Sequence, residues 1–233
     1  MGERAGTRQS NSMLRFLRDL LVIVLAAILV SFLVKTFLVR SFWIPSGSMK
    51  NTLQIDDHVI VNERATIHRG DVVVFSDPGG WLDSAGSVEG RSAPPRSFVS
   101  DALSLVGLGS DGDDHLVKRV IGLPGDHVQC CNALGQMEVN GVPLSEPYVR
   151  KHAGEASSGT PFDVTVPAGK LWVMGDNRYE SADSRAHQDL PSKGFVPEKA
   201  VVGRAVVISW PVQRWAAVND YPSVFAGTER DQH

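Results

Sequence analysis

One apolar run near the N-terminus limits what this 233-residue chain can fold into. Residues 20–39 are apolar except for Ser31, Lys35 and Thr36. Such a run provides the ~20 residues that a helix needs to cross the hydrocarbon core of a bilayer. We therefore expect residues 20–39 to form a transmembrane anchor, with residues 1–19 as a cytoplasmic tail.

A cleaved secretory signal is the alternative interpretation, since arginines precede the apolar run. The run is longer than the ~7–15-residue core of a signal, and the chain around Trp43 is bulky where a small-x-small cleavage site would lie. Trp43 is instead placed like an aromatic anchor at the membrane surface. The basic residues before the run favour a cytoplasmic N-terminus and an extracytoplasmic body, although Lys35, Arg40 and Lys50 follow it. Those preceding residues are Arg4, Arg8, Arg15 and Arg18.

Charge and cysteine usage exclude some functions. The net charge is -3 and the pI is about 6.2, so the chain lacks the basic footprint of a nucleic-acid-binding protein. Its two cysteines, Cys130 and Cys131, are adjacent and cannot supply the spaced pairs of a zinc site. A bridge between them would be a strained ring, so they are interpreted either as small residues in a turn or as a redox pair.

Beyond residue 40 the sequence consists of short β-branched runs separated by Gly, Pro and Asp. Such runs with frequent turn signals predict a mainly β body, either a compact barrel or a sandwich-like fold. Asn140-Gly141 is typical of a hairpin turn. The predicted strands are 58–62, 71–75, 116–121, 136–142, 171–174 and 201–210.

One long segment interrupts this β pattern. Residues 77–114 are rich in Gly, Ser, Pro and Asp and are interpreted as an inserted loop or subdomain, with a weak helical period at 98–106. A shorter polar stretch at 151–160 is interpreted as a second surface excursion. The predicted catalytic domain therefore comprises residues 40–76 and 115–215, and residues 216–233 form a C-terminal tail.

Two residues in this body have the chemistry of a catalytic pair. Ser48 lies in a Pro- and Gly-containing turn shortly after the apolar run, and Lys118 lies in an apolar strand. A serine nucleophile needs a base, and a lysine desolvated by apolar neighbours can lose its proton near neutral pH. Each motif alone also has a structural explanation, as ordinary turn chemistry for the serine and as an edge-strand charge for the lysine.

Taken together and in order, these motifs resemble the type I signal peptidase family, in its bacterial single-span form with an insert. The resemblance covers most of the chain after residue 40. The matching segments are Ile44-Pro45-Ser46-Gly47-Ser48-Met49, Gly70 to Phe75, Val117 to Asp126, Gly175-Asp176-Asn177-Arg178, Ser181-Ala182-Asp183-Ser184-Arg185 and Gly194-Phe195-Val196-Pro197-Glu198.

The resemblance implies a role for each matched residue. Ser48 would be the nucleophile and Lys118 the general base. The hydroxyl of Ser46 would join the Ser48 backbone N–H in holding the oxyanion, and that of Ser181 would orient the lysine. Donors already aimed at the developing charge are what such a reaction requires.

Further residues are assigned by the same resemblance. Asp183 and Arg185 would form a structural ion pair beside the site. Shallow apolar pockets would accept alanine-sized side chains one and three positions before the cut, giving an Ala-x-Ala preference. The pocket residues would be Ile44, Met49, Leu53 and Val117. One departure is that Lys50-Asn51 precedes Thr52-Leu53 where the family commonly has a proline, so this backbone is expected to be less rigid.

The implied function is a membrane-bound serine endopeptidase that cleaves signal peptides from exported preproteins at the cell membrane. The resemblance implies no cofactor and no metal, and it implies contact with membrane lipid and proximity to the secretion translocon. Two other functions stay open: a self-cleaving Ser–Lys regulator, and a catalytically dead membrane-anchored β adaptor. A Ser-His-Asp triad is a further alternative because the chain has seven histidines, but none occupies a matched motif position.

Overall fold

The computed structural model describes residues 8–38, 40–84, 115–151 and 154–229. It divides into two units, Met1–Val39 and Arg40–His233. The first contains a helix, α1 (Arg8–Leu38), whose large apolar side chains from Met13 to Val30 are exposed. Within the described ranges, no helix is both long and apolar enough to cross a bilayer.

The β-branched runs of the second unit pair into two antiparallel sheets. The larger sheet has the strand order β1-β2-β11-β3-β4-β9-β10, with β12 paired to β11. Its strands are β1 (Arg40–Trp43), β2 (His58–Asn62), β3 (Val72–Ser76), β4 (His115–Gly122), β9 (Lys170–Met174), β10 (Val196–Pro197), β11 (Val201–Trp210) and β12 (Ala216–Ala217). The smaller sheet has the order β7-β6-β5-β8. Its strands are β5 (His127–Cys130), β6 (Met137–Val139), β7 (Val142–Pro143) and β8 (Phe162–Thr165).

This architecture confirms the prediction of a mainly β body. Among the described residues, the path of the larger sheet runs from β1 to β10 without closing on itself, so the barrel alternative is not formed. Strands β2 and β11 have the predicted bounds. Strands β3 and β4 differ from the prediction by one residue at each end, and β9 differs by one residue at its start.

The segment 136–142 contains the strand β6 and the predicted Asn140-Gly141 hairpin turn, after which β7 pairs with β6. Asn140 and Gly141 have φ angles of 52° and 79°, which belong to the left-handed region rather than to a strand. Five short strands were not predicted, because two to four residues are too few to show a recognisable alternation. They are β1, β5, β8, β10 and β12. The positions of β1, β10 and β12 depend on the longer strands beside them.

Residues 46–52 form the turn that carries Ser48, called the serine turn below. Apolar side chains around it belong to the core of the larger sheet. Ile44, Met49 and Leu53 are almost completely buried, and they cluster with Val59 and Val61 of β2. Two neighbouring elements contribute Val72 and Val74 of β3 and Ala205 and Ile208 of β11. Burial of apolar area is the main force that holds such a segment in place. The turn that carries Ser48 is therefore anchored on both sides by core residues.

The predicted insert leaves the sheet at a β hairpin. Ser76 at the end of β3 and His115 at the start of β4 are direct partners across the two strands. The start of the insert forms a short helix, α2 (Trp81–Ser84), and the Trp81 ring is buried in parallel stacking with His187, 4.3 Å between centroids. The weak helical period at 98–106 lies outside the described residues.

Residues after 215 also contact the body. Phe225 is buried in the core cluster that includes Trp172 and Ile121, and the Thr228 carbonyl accepts a hydrogen bond from Asn140 Nδ2 at 2.7 Å. Cys130, the last residue of β5, and the adjacent Cys131 are joined to each other by a disulfide.

Candidate active site

Ser48 and Lys118 meet where the serine turn lies against β4. Lys118 is in the middle of β4, opposite Val73 of β3. Its Nζ donates a hydrogen bond to Ser48 Oγ at 2.7 Å. Lys118 is 3% exposed and Ser48 is 8% exposed. The structure thus brings the two predicted reactive residues, 70 positions apart, into direct contact in a nearly dry setting.

Burial dominates the electrostatics of this pair. It lowers the pKa of Lys118 from 10.5 to about 8, because the ammonium form is poorly solvated there. The carboxylates of Asp183 and Asp176 oppose that shift, and the Arg185 guanidinium adds to it. A lysine with this pKa is partly neutral near physiological pH, and the neutral amine is the form that can act as a base.

The two other predicted hydroxyls have different surroundings. Ser46 is exposed, and its Oγ lies 3.2 Å from Ser48 Oγ. The Ser181 hydroxyl is buried and has no hydrogen-bond partner among the described residues. It sits against Gly175, where an added Cβ would be 2.2 Å from Ser181 Oγ. Ser181 is therefore next to the site, but the hydrogen bond to the lysine that its predicted role requires is not present.

Asp183 and Arg185 form the predicted ion pair. Arg185 donates to both carboxylate oxygens of Asp183, at 2.8 and 2.6 Å, and both side chains are buried. Burial alone would raise the pKa of Asp183, but hydrogen bonds and charge from Arg185 lower it below the usual value. Asp183 also accepts from the Gly175 backbone N–H at 2.9 Å. The pair therefore places an ionised carboxylate close to Lys118 and ties it to the turn after β9.

A second buried ion pair had no predicted role. Arg119 is fully buried and donates to both oxygens of Asp176, at 2.9 and 2.7 Å. It also donates to Thr52 Oγ1 at 3.1 Å, and its guanidinium lies 4.2 Å from the centre of the Tyr148 ring. Thr52 belongs to the segment that carries Ser48. Both charged residues lie inside recognised motifs, so their position was a signal, but only the folded chain shows that they pair.

A third buried pair corrects the interpretation of residues 151–160 as a surface excursion. Arg178 donates to Glu146 at 2.9 and 2.6 Å and to the Ser157 carbonyl at 3.0 Å. The Ser158 hydroxyl accepts from Arg185 at 3.0 Å, and Ser157 and Ser158 are both buried. Part of this polar stretch is therefore internal, because its polar groups satisfy buried arginines.

The four predicted pocket residues lie together. Ile44, Met49 and Leu53 share one buried cluster, and Val117 packs against it while remaining partly exposed. Within the described ranges, no group of His, Cys, Asp and Glu side chains is arranged to hold a metal ion.

A serine and a lysine in hydrogen-bond contact, buried in a β body, define the site of a candidate serine hydrolase. A family model described as "Signal peptidase, peptidase S26" matches residues 17–210. The chain belongs to this family of serine endopeptidases.

Curated relatives carry the same description. The chain is 38% identical over 223 residues to signal peptidase I of Mycobacterium tuberculosis, an alignment that covers 87% of this chain and 75% of that one. It is 37% identical over 230 residues to a probable signal peptidase I of Mycobacterium leprae, covering 87% and 79%. Signal peptidase I of Leptolyngbya laminosa is 33% identical over 200 residues, covering 82% and 78%.

Proposed function

We propose that this chain removes N-terminal signal peptides from exported preproteins with Ser48 as nucleophile and Lys118 as general base. The observation that carries the assignment is the 2.7 Å contact between Lys118 Nζ and Ser48 Oγ in a buried setting. A nucleophile and a base within hydrogen-bond reach are the minimum that such catalysis needs.

The first half of the reaction forms an acyl-enzyme. Neutral Lys118 takes the proton of the Ser48 hydroxyl as Oγ bonds to the scissile carbonyl carbon, and the carbonyl oxygen becomes an oxyanion. The oxyanion then collapses and the C–N bond breaks. Lys118 gives its proton to the leaving amine. In the second half, water loses a proton to Lys118 and attacks the acyl carbon, and the proton returns to Ser48 Oγ as the ester bond breaks.

Two donors are assigned to the oxyanion, the Ser46 hydroxyl and the Ser48 backbone N–H. Ser46 is exposed next to the nucleophile, 3.2 Å from Ser48 Oγ, so a substrate carbonyl can reach it. The role of Ser181 is to orient Lys118. Its buried hydroxyl has no hydrogen-bond partner among the described residues and is the group that would accept or donate this bond.

The substrate preference is proposed to be Ala-x-Ala before the cut. Ile44, Met49 and Leu53 fill the space beside Ser48 so fully that each is at most 2% exposed. Only Val117 retains partial exposure. Shallow apolar surfaces of this kind favour small side chains, because a larger one would have to displace packed core residues.

The enzyme is proposed to be a single-pass protein of the cell membrane, with residues 1–19 cytoplasmic and the body after residue 40 extracytoplasmic. Support comes from the apolar sequence at 20–39 and from the exposed apolar side chains of α1. Membrane lipid and the secretion translocon are the neighbours that this location implies. Retention in the membrane after alkaline extraction tests the anchoring, and protease digestion of intact spheroplasts tests the orientation.

The catalytic assignment is tested by incubating the detergent-solubilised protein with a preprotein. Ser48→Ala and Lys118→Ala should each abolish cleavage, and combining them should add little because both serve one step. Ser209→Ala and Lys199→Ala are matched controls, because Ser209 lies near the end of β11 and Lys199 is exposed. Retention of more than a few per cent of the wild-type rate by Lys118→Ala would refute lysine as the base. Loss of the wild-type chain itself in the absence of preprotein would favour a self-cleaving regulator.

A further inference from the structure

Asn177 contacts two successive peptide groups of the serine turn. Its backbone N–H donates to the Ser48 carbonyl at 3.0 Å, and its side-chain Nδ2 donates to the Gly47 carbonyl at 3.1 Å. Nδ2 also donates to Glu180 Oε2 at 2.7 Å. Asn177 is 3% exposed, so these bonds form largely away from competing water. One residue therefore holds both carbonyls that flank the nucleophile's Cα.

The bond to Gly47 has a consequence for the proposed oxyanion donor. In a planar trans peptide the carbonyl oxygen and the following N–H point in opposite directions. The Gly47 oxygen is held by Asn177 Nδ2 and by the Lys50 N–H at 3.1 Å. Fixing that oxygen also fixes the direction of the Ser48 N–H. A peptide whose oxygen accepts two hydrogen bonds is polarised, which strengthens its N–H as a donor.

The contacts of the Asn177 side chain require an amide. Both partners of Nδ2, the Gly47 carbonyl and the Glu180 carboxylate, are acceptors. An aspartate at this position would place a carboxylate oxygen, which can only accept, against the Gly47 carbonyl and the Glu180 carboxylate. Arg119 donates to Thr52 Oγ1 and Asp176 accepts from it, which anchors Thr52 after the nucleophile. Asn177 instead acts on the peptide that contains the proposed oxyanion donor.

We propose that Asn177 is a positioning residue for oxyanion stabilisation, which acts by aiming the Ser48 backbone N–H. The inference rests on the proposed function, because it takes Ser48 as the nucleophile. Asn177 itself does not touch substrate. Its loss therefore affects turnover more than substrate binding, since oxyanion donors act mainly in the transition state.

The test measures kcat, KM and the pH profile of the full chain in detergent with a peptide carrying Ala-x-Ala. Asn177→Ala should lower kcat by roughly 10–50-fold, less than the ~10²–10³ typical for deleting an oxyanion donor. KM should stay within about 2-fold, and the acid limb of the pH profile should not move. Asn177→Asp should be at least as impaired as Asn177→Ala. Combined with Ser46→Ala, the loss should be less than multiplicative, because both changes affect one oxyanion.

Asn140 offers a matched control. Its Nδ2 likewise donates to one carboxylate, Asp126 at 3.0 Å, and to one backbone carbonyl, Thr228 at 2.7 Å. Asn140→Asp should lower the melting temperature as Asn177→Asp does, but it should leave kcat unchanged for the folded fraction. Equal loss of kcat in both variants, or a folded Asn177→Ala with wild-type kcat, would overturn the proposal. A shifted acid limb with unchanged plateau would also overturn it, since Asn177 would then act through Lys118.

Two further measurements keep the outcome decisive. If Asn177→Ala does not fold, Glu180→Ala replaces it, because the Glu180 side chain is 68% exposed and its loss removes one restraint on the Asn177 amide. A lower kcat with unchanged KM in Glu180→Ala supports the proposal, and wild-type kcat overturns it. Ser48→Ala is measured in parallel. Activity in Ser48→Ala refutes the proposed function, whereas an inactive Ser48→Ala beside a fully active Asn177 variant refutes only this inference.

Discussion

Lys118 illustrates how burial and charge together set the protonation of one side chain. Desolvation lowers its pKa, while the nearby carboxylates of Asp183 and Asp176 limit the shift to about 8. Arg185, which also faces the lysine, pairs with Asp183 and reduces the effect of that carboxylate. The balance leaves a lysine that is neutral often enough to act as a base and still basic enough to accept a proton.

The pH dependence of catalysis follows from this balance. We expect kcat/KM on an Ala-x-Ala peptide to rise with pH along an acid limb whose apparent pKa is near 8, because only neutral Lys118 accepts the Ser48 proton. A pH–rate profile with constant ionic strength measures it. A limb that begins to rise only near the 10.5 of an ordinary lysine would show that the side chain is solvated and would contradict the buried-base mechanism.

The same burial should weaken the fold at neutral pH. Between pH 8 and 10.5 the unfolded chain binds more protons at this lysine than the folded chain, so the free energy of unfolding should rise with pH across that window. At 1.36 kcal/mol per pKa unit the lowered pKa corresponds to roughly 3 kcal/mol. Lys118→Met should therefore be inactive yet more stable than the wild type at pH 7.

Urea unfolding of both proteins at several pH values measures this effect. The advantage of Lys118→Met should shrink as pH rises from 8 towards 10.5. If the two proteins differed in free energy of unfolding by the same amount across this range, the destabilisation would not come from the charged amine of Lys118. Lys199→Met is the control, since Lys199 is exposed and its replacement should leave the pH dependence unchanged.

At the level of secondary-structure elements, strand β4 and the turn after β9 assemble the site. Strand β4 carries Lys118 towards Ser48 and Arg119 towards Asp176. This follows the alternation of side chains along a strand. The β4–β9 register places Arg119 opposite Met174, which brings the turn from Gly175 onwards against the serine segment.

Part of this arrangement could be predicted from the sequence. The long β-branched strands could be predicted because their composition is distinctive. Ser48 and Lys118 could be singled out because each lies in a distinctive motif. The Arg119–Asp176 and Arg178–Glu146 pairs could not be found in this way, since each joins residues far apart in sequence whose contact depends on strand register and chain path. Besides burial, the Arg185 guanidinium lowers the pKa of Lys118, and this proximity also depends on the folded chain path.

Gly175, at the start of the turn after β9, has no room for a side chain. A Cβ there would lie 2.2 Å from Ser181 Oγ and 2.6 Å from the Ser48 carbonyl oxygen. Backbone cannot give way as a side chain can, so Gly175→Ala should displace the serine turn and lower kcat by at least about 10²-fold. Steady-state kinetics and a melting curve on the same sample measure the effect. Adding Ser181→Ala should not restore activity, because the contact with Ser48 remains; wild-type kinetics in Gly175→Ala would contradict this account.

Over the whole molecule, the described residues of the candidate site come from three segments that are distant in sequence. The site residues lie in 44–53, 117–119 and 175–185. Strands β3 and β4 remain paired up to the point where the insert begins and ends, since Ser76 and His115 are direct partners. Trp81 near the start of the insert is buried, packs edge-on against Phe75 and stacks on His187.

We therefore expect two deletions to differ. Replacing residues 85–114 by a short flexible Gly/Ser linker should keep the melting temperature and the kcat/KM on a short peptide, because a shorter loop costs less closure entropy and the β3–β4 register is retained. Replacing residues 77–114 also removes Trp81, and loss of a buried tryptophan typically costs about 3–5 kcal/mol. Calorimetry and peptide kinetics on both proteins test this. A folded 85–114 deletion that no longer cleaves a short peptide would show instead that the insert contributes directly to the substrate site.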